Sequence, residues 1–201
     1  MAEALRALVD ALADLYAAEG RPGGAEAAAA LRDHRNDPLR EPDHLSRPDR
    51  SMQTFCDKSE PHPIAHMVSA IWDRLPWYHP GLEEGSIPDE IATTMMSCQI
   101  LGPKGLLYSD SCKVGLFGQS AGVDYATRTH AAEETFVMLA GHGEWRLPPE
   151  GWYTLGPGGS AHHPSMVEHQ SRSTHTGFLA AWRWTGDIGM ESYSYTEEAC
   201  A

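Results

Sequence analysis

"GVDYATRTHAAEETFVMLAG", Gly122 to Gly141, sets a histidine and a glutamate four residues apart inside a β-prone run. In a strand, alternate side chains share a face, so an unbroken strand would aim Arg128, His130, Glu134 and Phe136 the same way. Ala131 and Ala132 are small enough to let the chain turn or bulge between the two polar groups. An imidazole and a carboxylate directed into a β core are poor packing but good ligands for a divalent cation. A buried His–Glu hydrogen bond without metal satisfies the same pattern. On this stretch alone both readings stand.

The surroundings are β-rich. From about residue 95, short β-prone runs alternate with glycine turns: "SCQILGPKGLLYS", "CKVGLFGQSAGVDYATRTH", "TFVMLAGHGEWRL", "GWYTLGPGG" and "GFLAAWRWTGD". Turns recurring every eight to twelve residues or so predict an all-β barrel or sandwich. The first third differs. Leu5, Leu8, Val9, Leu12, Leu15 and Tyr16 follow the three-and-four spacing of one helix face, with Gly20 as its stop. Further helices are expected through "GAEAAAALRDH" and "HPIAHMVSAIWDRL", the latter turning Ile64, Met67, Val68 and Ile71 inward. Between them "RNDPLREPDHLSRPDRS" reads as a polar, proline-rich loop. His62 and His66 have a metal-compatible spacing, although such a pair more often marks a solvated helix edge. The expected organisation is a helical segment over 1–93 packed on a β-barrel over 94–201, forming one compact unit.

Bulk properties exclude several classes. A hydrophobic fraction of 41% and a charged fraction of 21% suit a globular chain. The net charge of −13 argues against a nucleic-acid partner, which needs clustered Lys and Arg. No apolar run approaches the roughly 18 residues of a membrane span, so no membrane partner is expected. The opening "MAEALRALVDALADLYAAEG" lacks the basic head and apolar centre of a secretory leader, and the expected location is cytoplasmic. Cys56, Cys98, Cys112 and Cys200 form no Cys-x-x-Cys pair and are expected to be reduced, the first three as ordinary thiols. Eleven histidines, most of them beyond residue 60, call for a chemical explanation.

The spacing supplies one. Gly122, His130, Glu134 and Gly141 resemble the first motif of the cupin superfamily: glycine, five residues, His-x-His, three or four residues, glutamate, six residues, glycine. Arg128 stands where that motif has its first histidine. The second cupin motif fits in two registers. Gly151, Pro157, Gly159 and His162 match every position, while Gly158, Pro164 and His169 match with Met166 in place of the second glycine. The first register leaves only nine residues after Gly141, too few for the strands between the motifs. The second makes "GPGG" a hairpin turn and "SAHHPSM" the next strand, which favours His169 as the inward ligand.

"RTHAAEETF", "HHPSMVEHQ" and "AWRWTGDIG" together look like the cupin-type dimethylsulfoniopropionate lyases, especially the DddQ type. The resemblance is close over roughly residues 120 to 190 and holds only in outline across the helical first half. It implies a mainly β fold: a cupin barrel (double-stranded β-helix, or jelly roll) preceded by N-terminal helices. It implies one divalent metal per chain on His130, Glu134 and His169; this donor set suits Zn²⁺, Fe²⁺ and Mn²⁺ alike. It implies a small-molecule substrate, dimethylsulfoniopropionate, split into dimethyl sulfide and acrylate. Tyr125 would serve catalysis and the pocket, with Trp184 and His163 also at the substrate. The family's tyrosine two residues after the glutamate is Phe136 here, which keeps a ring at the substrate but has no oxygen for metal or proton. Phe136 and Arg128 leave two rivals open: a cupin isomerase or oxygenase acting on a small acid, and a non-catalytic small-ligand binder. Monomer and dimer are both open.

Overall fold

Leu5, Leu8, Val9, Leu12 and Tyr16 repeat at helical spacing and form the buried face of α1 (Ala2–Ala17). Gly20, at φ 77°, ends the turn that follows in the left-handed conformation that costs glycine least. The computed structural model describes residues 2–41, 50–57, 60–82 and 85–196. α2 (Pro22–His34) starts on a proline, whose missing N–H is no loss there, and buries Ala27, Ala28 and Leu31. Its first turn lies so close to the sheet that a Cβ on Gly23 would come within 2.5 Å of Arg183 Nη1.

α3 (Arg50–Gln53) is a short helix that begins in the last two residues of the stretch expected to be loop, and residues 42–49 of that stretch lie outside the described residues. α4 (Pro63–Ala70) ends earlier than its apolar pattern predicts, continuing as a 3₁₀ turn over Trp72–Arg74. His62 caps α4, its ring accepting the Ile64 N–H at 3.3 Å. Among the described residues no third group joins His62 and His66 in a metal-ligating cluster. A last short helix, α5 (Asp89–Ala92), leads into the barrel.

Ten strands follow: β1 (Met95–Leu101), β2 (Lys113–Gln119), β3 (Asp124–Thr129), β4 (Ala132–Gly141), β5 (Gly143–Arg146), β6 (Tyr153–Leu155), β7 (Ser160–His163), β8 (His169–Arg172), β9 (Phe178–Gly186) and β10 (Ser194–Thr196). They form two antiparallel five-stranded sheets, ordered β1-β2-β9-β4-β7 and β10-β3-β8-β5-β6. Two packed sheets of this kind, preceded by helices, are the expected cupin jelly roll.

Two expectations need correction. The opening stretch is not one strand: β3 belongs to one sheet and β4 to the other, and His130–Ala131 is where the chain crosses between them. The alternation argument therefore fails at His130. "GPGG" is a turn, with Gly158 at φ 84°, but it joins β6 to β7 in different sheets and closes no hairpin. The strand expected over "SAHHPSM" stops at His163, because the chain must cross sheets again before β8.

The core has two parts. One fuses α1, α2 and α4 to the outer face of the first sheet through Leu8, Leu12, Val68, Cys98, Leu116, Val137 and Leu139. The other lies between the sheets and is aromatic: Phe117, Tyr125, Phe136, Trp145, Phe178, Trp182 and Trp184. Cys56, Cys98 and Cys112 are buried free thiols, and Cys200 lies outside the described residues. No described helix is long and apolar enough to cross a membrane.

Candidate metal centre and cavity

The sheet crossings bring His130, Glu134 and His169 together. Glu134 lies on β4, opposite Trp184 of β9 on one side and His163 of β7 on the other. His169 opens β8 in the other sheet, and His130 sits on the crossing. One ligand atom from each of the three falls within 4.8 Å of the others, and all three residues are buried. His130 Nε2 and His169 Nε2 each lie 3.5 Å from Glu134 Oε2.

Both rings are oriented from behind. His130 Nδ1 donates to the Ala132 carbonyl at 3.0 Å, and His169 Nδ1 donates to the Val167 carbonyl at 2.9 Å. Because a carbonyl only accepts, each Nδ1 carries the proton and each Nε2 presents a lone pair to the centre. The His169 Nε2 has no hydrogen-bond partner although it is fully buried. An orphaned imidazole lone pair beside a buried carboxylate is what a divalent cation satisfies.

Glu134 is held equally firmly. Trp184 Nε1 donates to its Oε1 at 2.6 Å and His163 Nδ1 to its Oε2 at 2.7 Å. Burial alone would push its pKa up, but hydrogen bonding and charge from His130 and His163 outweigh it and hold the carboxyl well below the usual range. Burial lowers the His163 imidazole. Burial, with the charges of His163 and Arg128, holds His169 well below the ordinary imidazole value. The site is thus an ionised carboxylate facing the neutral imidazole of His169, with His130 beside it.

The remaining expected residues are distributed as follows. His163 is fully buried behind Glu134, its ring stacked on His169 at 4.0 Å, so what it touches is the carboxylate. His162 lies one register position away on β7 and reaches Glu133 at 3.4 Å, outside the triad. Arg128 does not join the ligands. It is buried, its guanidinium lies 3.9 Å over the Tyr125 ring, and it donates to the Tyr125 carbonyl and to Ser171 Oγ, each at 3.2 Å. Met166, where the second motif has its glycine, is the one described non-glycine residue with positive φ, at 61°. The conformation that the motif's glycine serves is kept without the glycine.

Beside the centre opens a cavity of about 740 Å³, whose lining includes Tyr125, Glu134, Phe136, Trp182, Trp184 and Tyr193. Its lining also includes Tyr78, His79 and Leu82 and residues of the loop after Gly186. Lys113 Nζ lies 4.7 Å from the Trp184 ring centroid. Sequence reasoning missed Tyr193, whose hydroxyl is 2.7 Å from that of Tyr125. The alternation in "SYSYT" was the available signal for a strand near it.

A double-sheet jelly roll with an inward His–Glu–His triad defines a metal-binding cupin. The chain matches the dimethylsulfoniopropionate lyase family model over residues 28–180 and belongs to that family. It is 34% identical over 89 residues to the dimethylsulfoniopropionate lyase DddQ of Ruegeria pomeroyi, an alignment spanning 44% of this chain and 44% of that relative. The crystal structure of DddQ from Ruegeria pomeroyi DSS-3 superposes with a TM-score of 0.72 at 23% identity, covering 98% of this chain and 99% of the other. A structure from a study of the dimethylsulfoniopropionate lyases RdDddP and RnDddQII gives 0.71 at 19% identity, covering 97% and 98%. At these identities the structural likenesses show a shared fold.

Proposed function

We propose that the chain cleaves dimethylsulfoniopropionate to dimethyl sulfide and acrylate, using one divalent metal held by His130, Glu134 and His169. The observation that carries this reading is the triad itself, with both Nε2 lone pairs oriented by backbone carbonyls toward an ionised Glu134, in a chain of this family. Zn²⁺, Fe²⁺ and Mn²⁺ all suit two imidazoles and a carboxylate. When bound, the metal supplies Lewis acidity that makes the C–H next to the substrate carboxylate easier to remove.

The chain's own residues do the rest. Tyr125 stands on the cavity wall with its ring under the Arg128 guanidinium and takes the α-proton. Burial raises the Tyr125 pKa, and the Arg128 charge works against that rise. Trp184 does not move freely as a wall, because its N–H is committed to Glu134. The Lys113 ammonium already lies near its ring, which leaves the sulfonium better placed against Trp182 and Phe136. The leaving dimethyl sulfide is neutral and needs no proton.

The test is headspace measurement of dimethyl sulfide, with acrylate in equal amount, from protein loaded with each metal in turn. Product from wild type, lost in His130→Ala and His169→Ala together with bound metal, is the expected result. Bound metal without product would instead favour one of the rival cupin readings, for which Phe136 is the specific observation.

A further inference from the structure

Tyr193 lies outside both metal-binding motifs, on the connection from β9 to β10, half-buried against the aromatic core and lining the cavity. Its hydroxyl is 2.7 Å from the Tyr125 hydroxyl, and its ring runs parallel to that of His130 with centroids 6.3 Å apart. Tyr125 is otherwise fixed through its ring, by Arg128 at 3.9 Å, Tyr195 at 6.0 Å and Phe117 at 6.2 Å. Those contacts set the plane of the ring, and none of them engages the hydroxyl oxygen. The contact with Tyr193 does. With phenylalanine at 136, this phenol pair lies beside His130 where a proton acceptor is needed.

We propose that Tyr193 is a positioning residue for the elimination, donating its O–H to the Tyr125 oxygen and so aiming that oxygen at the substrate's α-proton. The inference rests on the lyase reading above. In a pair of hydroxyls one donates and the other accepts. If Tyr193 donates, the Tyr125 oxygen keeps a lone pair for the incoming proton. Arg128, Glu134 and Tyr193 are the charged and titratable groups acting on Tyr125; burial raises its pKa, while Arg128 and the Tyr193 hydrogen bond lower it. Burial raises Tyr193 well above the ordinary phenol value, and the same hydrogen bond adds to that rise, which fits a residue that holds its proton. In the step, the α-proton passes to the Tyr125 phenolate oxygen and the C–H pair becomes the Cα–Cβ π bond. The Cβ–S pair leaves on sulfur, and Tyr193 stays protonated throughout.

Tyr193→Phe, Tyr125→Phe and the double variant, each loaded with metal and assayed for dimethyl sulfide, decide the matter. Hydrogen bonds to ionised groups contribute enough that Tyr193→Phe should lower kcat about 10- to 100-fold, with KM changing less. Its rising alkaline limb should move to higher pH. The double variant should be no slower than Tyr125→Phe alone, because both substitutions remove one unit. Bound metal should be unchanged. In substrate-free protein, ultraviolet titration should show one phenol ionising at higher pH in Tyr193→Phe. Wild-type kcat in Tyr193→Phe, or additive losses in the double variant, would overturn the inference, as would loss of metal alongside activity. Wild type that releases no dimethyl sulfide overturns the lyase reading instead. The phenol titration then still judges the hydrogen bond, and an unchanged profile in Tyr193→Phe sinks it.

Discussion

Phe136 sits where its ring is useful and its missing oxygen matters. It lines the cavity, lies 5.5 Å from Phe117 and 6.0 Å from His163 by ring centroid, and faces Trp182 across the sheet. Phe136→Tyr keeps that packing and adds a hydroxyl near the triad. Positioned proton acceptors contribute about 10²–10⁴-fold, so dimethyl sulfide release should rise at least about tenfold while KM changes less. Equal rates at every pH would exclude position 136 as the base. Met166 offers a second test at this scale. A left-handed conformation costs a non-glycine residue roughly 1–2 kcal/mol, and the Met166 side chain is mostly in solvent. Met166→Gly should therefore raise stability by about 1 kcal/mol after glycine's own entropic cost, seen as a higher urea midpoint with an unchanged slope. The triad itself was legible, His130 and Glu134 from motif spacing and His169 from the choice between two registers, and the structure brings the three together. The orientation of Arg128 was not, because alternation cannot foresee a chain that changes sheets at His130.

Strand β4 carries the site, since β7 and β9 flank it and each delivers one hydrogen bond to Glu134. Those contacts fix how stability depends on pH. His169 is held well below the ordinary imidazole value of 6.5, chiefly by burial, and His163 is lowered for the same reason. A group with a depressed folded pKa loses its contribution as pH falls, because the unfolded chain takes up the proton first. The metal-free protein should therefore weaken as pH drops below about 6.5. It should weaken again below about 4.5, where Glu134, depressed well under that value, begins to be protonated only when unfolded. Urea midpoints measured across this range test it, and a midpoint that rose between pH 6.5 and 4.5 would contradict the buried neutral imidazoles. The longer strands were legible from glycine-bounded runs, but β8 and β10 were not recognised. β8 spans only four residues, too few for alternation to register, and the one signal for β10 was the brief alternation in "SYSYT".

At the level of the whole chain, one buried guanidinium joins the helices to the barrel. Arg183 of β9 donates through Nε and Nη2 to Glu19, at 2.7 and 2.6 Å, and through Nη2 to Glu133 at 2.7 Å. Thr135 Oγ1 donates to the same Glu19 at 2.8 Å, so the residues flanking Glu134 are tied to the helical segment. The amphipathic pattern of α1 announced that it needed a partner. Nothing local could announce Glu19 and Arg183, which are 164 residues apart. Removing one partner of a buried ion pair costs about 3–5 kcal/mol, so Glu19→Ala should lower unfolding stability by about that much, while Glu19→Leu with Arg183→Met should recover most of it. A larger cut follows the same logic. A fragment beginning at Thr94 keeps every proposed metal ligand but loses α1, α2 and α4, and with them the cover over Cys98, Leu116, Val137 and Leu139. It also loses Tyr78 and His79 from the lining of the cavity. An apolar sheet face of that extent, with Arg183 stripped of Glu19, favours association over folding. We therefore propose that 1–93 and 94–201 fold as one unit, and that the fragment will be insoluble or unable to retain metal. A soluble fragment from Thr94 with wild-type metal content and dimethyl sulfide release would show that the barrel stands alone.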